Sequence, residues 1–337
     1  MYKTLKYVQR GLILGILVIS AAILITSCVV QDTLAKDRIV LKDGDLYSIS
    51  ETLGEKRITT DKKAKILFDK KDYVILYGKN WTSTQPAESE AISGTELWYM
   101  DTETGKNELV AKDVSMSLLG DGGFAFFTDM NQTLFKQKLG EKKAEKIKEK
   151  VHTPKISKDN SKIVYQKLPT TWTTSPYFDD AIGLAILDLK NGKETQITKS
   201  ANDWGAIFTP DSSHVIFSSS NEWGIQSLFS IKIDGSDKTE LTNVKSKTID
   251  TSFVPTFSEA PIFSSDGKYM VYESDREIWM IKFSTDYSSI LEAKKLAYGI
   301  NPEWNELFQT VDIVSVPKQG ESTRGIIHVN LQGELVK

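Results

Sequence analysis

The chain has 337 residues, 40% apolar and 26% charged, the balance of a folded globular protein rather than a disordered one. A net charge of −3, with no basic stretch standing apart from acidic residues, lacks the electrostatic footprint of a nucleic-acid binder. The single cysteine, Cys28, rules out an internal disulfide and a cysteine-rich metal site.

Residues 1–10 carry Lys3, Lys6 and Arg10 and no acid. An unbroken apolar run follows, GLILGILVISAAILITS, and polarity returns at Gln31, Asp32 and Lys36. A basic start, an apolar middle and small residues at its end make a secretory signal. The positive charge keeps that end in the cytoplasm and sends the remainder outward. The junction Ile25-Thr26-Ser27-Cys28 resembles the lipobox of bacterial lipoproteins, in which the cysteine is diacylated at sulfur and the chain is cut before it. The resemblance implies a signal peptide over 1–27, lipidation at Cys28, a lipid-anchored tether over 28–37 and an exported body over 38–337. Two acyl chains anchor stably where one binds reversibly, at about 0.8 kcal/mol per buried CH₂. An uncleaved helix from Gly11 to Val30, long enough to cross about 30 Å of hydrocarbon, is one alternative. Release as a soluble protein is another. All three place the body on the extracytoplasmic side of the cell membrane.

The body repeats itself. ISKDNSKIVY (156–165), FTPDSSHVIF (208–217) and FSSDGKYMVY (263–272) each run from an apolar residue through a small hydroxyl and an Asp-containing turn into an alternating strand. FDKKDYVILY (68–77) and LLGDGGFAFF (118–127) are degraded copies, and a sixth after Pro302-Glu303-Trp304 keeps only the strand pattern. A second element follows each hairpin, as in LYSISETLGEKRIT (46–59), LAILDLKNGKETQIT (184–198) and LFSIKIDGSDKTELT (228–242). The repeat length of roughly 35–55 residues suits a four-stranded blade. The fold class is therefore all-β, a propeller of four-stranded blades, with seven blades favoured and six the alternative. IVLKDGDLYSIS either begins a three-stranded blade or completes a ring closed jointly by both termini. These residues resemble the TolB-like propeller family, best at Thr209-Pro210-Asp211, Ser265-Asp266-Gly267, Ile197-Thr198 and Leu241-Thr242. The resemblance implies protein interaction in the cell envelope. The helical N-terminal domain that TolB carries has no counterpart in this sequence.

No nucleophile elbow, H-E-x-x-H, P-loop or dinucleotide fingerprint occurs. The three histidines are spread along the chain, with His214 and His328 in strand patterns and His152 ahead of one. Asp179-Asp180 suits calcium only as one part of a larger ligand set. No catalytic residue, metal site or cofactor is expected. The run KLGEKKAEKIKEK reads as an exposed outer strand or loop.

Aromatic residues instead mark three long connections, 78–96, 168–183 and 218–226, which carry Trp81, Trp172, Tyr177, Phe178 and Trp223. Loops on a rigid scaffold commonly carry function, and Trp and Tyr are enriched at binding hot spots. The competing reading folds each Trp back as a cap on its own blade. A binding scaffold for an envelope protein or peptide is the expected role; an exported hydrolase or lyase framed by the propeller is the alternative. The anchor is testable first. Metabolic labelling with an acyl analogue should mark the natural chain and leave Cys28→Ala unlabelled and unprocessed, whereas equal labelling would point to an uncleaved helix.

Overall fold

In a computed structural model, the residues described are 38–50, 54–82, 94–171, 181–223, 226–242, 261–305, 309–316 and 325–336, with the backbone alone at 81, 82 and 94. Among them every regular element is a strand. The first group is β1 (Arg38–Lys42), β2 (Asp45–Ser50) and β3 (Gly54–Arg57). The second is β4 (Ala64–Lys71), β5 (Val74–Thr82), β6 (Gly94–Asp101) and the first half of β7 (Asn107–Gly120). The second half of β7 opens the third, with β8 (Phe124–Asp129), β9 (Leu134–Lys138) and β10 (Ala144–Lys148). The fourth is β11 (Val151–Ile156), β12 (Lys162–Lys167), β13 (Leu184–Asp188) and β14 (Glu194–Gln196). The fifth is β15 (Asp203–Phe208), β16 (His214–Ser220), β17 (Gln226–Lys232) and β18 (Thr239–Glu240). The sixth is β19 (Ile262–Phe263), β20 (Tyr269–Ser274), β21 (Glu277–Phe283) and β22 (Ile290–Tyr298). The seventh is β23 (Ile300–Asn305), β24 (Thr310–Val314), β25 (Ile326–Asn330) and β26 (Leu335–Val336). Pairing is antiparallel between chain neighbours throughout, so each group is a meander.

The apolar clusters lie between successive groups. Leu46, Tyr77 and Met100 join the first to the second. Leu97 and Phe127 join the second to the third, and Phe126 and Tyr165 the third to the fourth. Leu184 and Phe217 bridge the fourth and fifth, Leu228 and Trp279 the fifth and sixth, and Met280 and Ile313 the sixth and seventh. Val40, Ile49 and Val314 then join the seventh back to the first. Burying a side chain of this size stabilises by about 1.5–3 kcal/mol, so the sheets are held face to face as in a propeller.

The closing cluster has three buried members where the fifth–sixth cluster has twelve. Polar contacts make up the difference. Arg38 is buried; its Nη2 donates to Asp312 Oδ2 at 3.1 Å, and its Nη1 pairs with Glu303. Asp312 also accepts from Asn305 Nδ2 at 3.0 Å and stands 2.7 Å from His328 Nδ1. Asn301 Nδ2 donates to the carbonyl of Ile39 on the edge of β1.

Two polar stitches recur and explain the motifs. In the leading turns a hydroxyl donates to the Asp two residues on: Ser157 to Asp159 at 2.6 Å, Thr209 to Asp211 at 2.7 Å and Ser264 to Asp266 at 2.8 Å. The ammonium of Lys268, with help from the Lys268 N–H and the Ser264 hydroxyl, holds the Asp266 carboxyl at about 2. The residue after each Asp has positive φ: Asn160 at 57°, Ser212 at 56° and Gly267 at 72°. At the far end of the blade a threonine hydroxyl accepts the backbone N–H that opens the third strand. Leu46 donates to Thr59 at 2.9 Å, Leu184 to Thr198 at 2.9 Å and Leu228 to Thr242 at 3.2 Å.

The Thr59 stitch identifies β2 as a third strand and β1 as a second one. The three-stranded group therefore lacks the innermost strand among the described residues, which answers the first alternative for IVLKDGDLYSIS. Three details differ from expectation. The 78–96 connection narrows to 83–93, because β5 continues through Trp81 and Thr82 with a register shift after Lys79. The 218–226 connection narrows to 221–225, since Ser218–Ser220 pair with β17. His152 lies inside β11 rather than ahead of it. The KLGEKKAEKIKEK run contains β10, an outer strand.

The positive-φ position supplies a stability test. Gly267→Val brings a Cβ within 2.3 Å of the Tyr287 hydroxyl at a φ that β-branched residues avoid. It should destabilise by about 1–3 kcal/mol. Ser212→Gly removes the left-handed strain of its own turn and should stabilise by about 0.5–1 kcal/mol. Thermal melting of the two variants should move in opposite directions; movement in the same direction would mean that this angle does not limit stability.

Candidate binding face

In an up-and-down meander the second-to-third connections emerge at the same end of every group, together with the links from one group to the next. The β5–β6, β12–β13 and β16–β17 connections thus share one face of the ring. Trp223 stands on it with 79% of its surface exposed. Its N–H donates to Asn221 Oδ1 at 2.9 Å, an Asx turn that fixes the backbone while the indole projects. The reading of Trp223 as a cap folded onto its own blade is therefore wrong for this residue. The backbone of Trp81 pairs with Thr95 at the end of the β5–β6 hairpin. Trp172, Tyr177 and Phe178 lie outside the described residues, as do Asp179, Asp180 and Cys28.

Two further apolar residues are exposed at the same end. Ile182, in the β12–β13 connection, is 37% exposed, and Tyr298, the last residue of β22, is 56% exposed. With Trp223 they fall on the fourth, fifth and sixth groups, one continuous arc. Neither was singled out from the sequence. Both follow polar or alternating segments in the same way as buried strand residues do, and only the direction of the side chain tells them apart.

Beneath the arc, at the start of β15, Asp203 is fully buried. Neither carboxylate oxygen accepts a hydrogen bond; Lys238 Nζ stands 3.9 Å from Oδ2. Gln166 of the preceding group donates to the Asp203 carbonyl at 3.0 Å. Burial shuts this carboxylate off from any substrate on the face above.

Among the described residues, the cluster of Ser213, His214 and Asp211 looks catalytic by composition. Ser213 Oγ lies 2.7 Å from His214 Nδ1 and 2.7 Å from Asp211 Oδ2. In a working triad the carboxylate orients the histidine, and the hydroxyl meets the other ring nitrogen. Here both partners bond the hydroxyl itself, and nothing among these contacts directs the ring. Burial lowers the His214 pKa, while bonds from Thr209 and Ser213 lower that of Asp211 against the burial that would raise it. The cluster is the leading turn of the fifth group and works as one. His152 is buried, which pushes its pKa down to about 4, and its Nδ1 is 3.1 Å from Gln132 Oε1. The three histidines sit on the fourth, fifth and seventh groups, and no three potential metal ligands cluster among the described residues.

No protein-family description matches the sequence, and comparison with curated proteins finds no match. Solved structures do share the fold. An oligogalacturonate lyase in complex with manganese superimposes with a TM-score of 0.56 at 11% identity, over 85% of this chain and 82% of its own. The tricorn protease gives 0.54 at 11% identity, over 89% of this chain but 33% of its own, so this chain spans about a third of that protein. TolB from Acinetobacter baumannii matches at a TM-score of 0.47 and 14% identity, over 76% of this chain and 65% of its own. The first two carry the architecture, an all-β propeller. At such identities the likeness is one of fold, which transfers no activity.

An exposed aromatic contributes little to folding. Trp223→Ala should leave stability within about 0.5 kcal/mol of the natural chain in a melting measurement. A larger loss would mean that the indole is packed.

Proposed function

We propose that this chain is a membrane-tethered binding scaffold of the bacterial cell envelope. Lipidated at Cys28 and facing the extracytoplasmic side, it presents a seven-bladed ring of the TolB-like kind. A protein or peptide of the envelope docks on the loop face. The observation that carries the reading is the arc of Ile182, Trp223 and Tyr298, three apolar side chains left in solvent on adjacent groups. Large aromatics exposed without a packing role are characteristic of interaction surfaces. Trp81, Trp172, Tyr177 and Phe178 are the further contacts proposed for that face. The N-terminal charge and hydropathy pattern supports the tether, and the lack of a basic surface stretch argues against nucleic acid as the partner.

An envelope cross-linking experiment tests it. Proteins captured by the full-length chain should be lost with Trp223→Ala while the melting temperature holds, because truncating an anchoring aromatic typically costs about 2 kcal/mol or more in affinity. Undiminished capture by that variant would remove the loop face from the binding reaction.

A further inference from the structure

The end of the strands opposite the loops carries the first-to-second and third-to-fourth turns, and charge is spread unevenly over it. On the third and fourth groups these turns are residues 121–123, 139–143, 157–161 and 189–193, with five lysines and three acids. On the fifth and sixth groups they are 209–213, 233–238, 264–268 and 284–289, with two lysines and five acids. No single stretch of sequence is basic; the fold gathers the lysines. The third and fourth groups adjoin there. Asn160 and Asp121 exchange two hydrogen bonds, and Lys148 on β10 pairs with Glu194 on β14 at 2.8 Å.

The two halves differ further in what their charges have free. Lys142, Lys143, Lys158, Lys190 and Lys193 are all exposed, and none has an ion-pair partner among the described residues. The acids beside them are spent on their own turns. Asp159 accepts the Ser157 hydroxyl at 2.6 Å and the Ser161 hydroxyl at 2.8 Å, bonds that hold its carboxyl at about 2. Asp121 pairs with Lys71 of the second group. Asp188, at the end of β13, accepts the N–H groups of Lys190 at 2.9 Å and Asn191 at 3.2 Å. Across the ring it is the lysines that are spent. Lys268 pairs with Asp266 at 2.7 Å, and Lys238 stands 3.9 Å from the buried Asp203.

The chain enters the ring on this same face. Arg38 opens β1, a second strand, and second strands begin at the turn end. Residues 28–37 reach at most about 35 Å when fully extended, so an anchor at Cys28 keeps the turn face close to its membrane. From the free lysines and this point of entry we infer that the lysine-bearing half rests on an anionic phospholipid surface. The inference builds on the tethered reading above and gives it an orientation: the loop face, with Trp223, points away from the membrane. Lysine stems are long and flexible enough to set each ammonium against a lipid phosphate. The attraction fades beyond a Debye length of about 8–10 Å, so it acts at contact. The acidic half is repelled by the same surface, and the ring tilts onto its third and fourth groups.

Lysine acetylation on vesicles tests the contact. The full-length chain is incorporated into vesicles of phosphatidylcholine alone, or with about a third phosphatidylglycerol, and treated with a water-soluble acetylating reagent. Mass spectrometry should find the five lysines acetylated at least fivefold more slowly on the anionic vesicles. Lys199, exposed in the link from β14 to β15 on the loop face, should react equally on both. Protection should vanish in about 1 M salt, where the Debye length falls to about 3 Å. Lys142→Glu with Lys158→Glu, both at exposed positions, should melt with the natural chain and lose the protection of Lys143, Lys190 and Lys193. Flotation keeps the two readings apart. A chain that floats with both kinds of vesicle but shows equal acetylation overturns this orientation and leaves the tether standing. A chain that floats with neither overturns both. Protection of Lys199 in place of the five, or protection that survives in the folded double variant, overturns the orientation as well.

Discussion

The ring closes on a buried charge. Every other junction between groups buries six or more apolar side chains, but the seventh group meets the first through three buried ones, a few partly buried neighbours and a polar set centred on the Arg38–Asp312 pair. A pair of this kind is a weak source of net stability, because desolvation offsets much of the attraction. It is nonetheless intolerant of half-removal: deleting one partner of a buried pair typically destabilises by about 3–5 kcal/mol. The contact therefore acts mainly as a specifier. It accepts the first group in one orientation and register, with Asn301 bonding the edge carbonyl of Ile39. Among the described residues the first group has three strands and β1 is its inner edge, so an apolar patch alone would leave that edge free to slide or to recruit another chain.

Elsewhere the repeat is kept by two kinds of stitch, one at each end of a blade, and the fourth and fifth groups have both. The hydroxyl–Asp turn fixes the reversal from first to second strand, and the threonine hydroxyl takes the N–H that begins the third. Between these fixed ends, interior residues vary freely provided they stay apolar. The third group shows what happens when a stitch is missing. Its turn, Asp121-Gly122-Gly123, has no leading hydroxyl, and it is tied sideways: the Asp121 N–H donates to Asn160 Oδ1 at 2.8 Å, and Asn160 Nδ2 donates back at 2.6 Å. Lys71 of the second group pairs with the same Asp121. Three neighbouring turns are thereby linked across the face that lies opposite the loops.

Much of this is legible in the sequence. The Ser157, Thr209 and Ser264 motifs located three leading hairpins because their turn chemistry is local, and Thr198 and Thr242 marked blade ends for the same reason. The second and third groups were harder. FDKKD and LLGDGG lack the hydroxyl, and β7 runs unbroken from one repeat into the next. The site was legible in part. Trp223 was found from composition and loop length, but Ile182 and Tyr298 were not, since exposure at a strand end depends on neighbours far away in the sequence.

The continuous strand β7 has a mechanical meaning. Its fourteen residues serve the outer edge of the second group and the inner edge of the third, so both belong to one seven-stranded sheet. Other groups are linked by connections that bend without breaking a ladder, and each is able to loosen while its neighbours hold. The second and third share a backbone hydrogen-bond ladder and form a single cooperative unit. Amide protons on β5 and β9, distant in sequence, then exchange with solvent through the same opening event, and the ring unzips there in one double-width step or not at all.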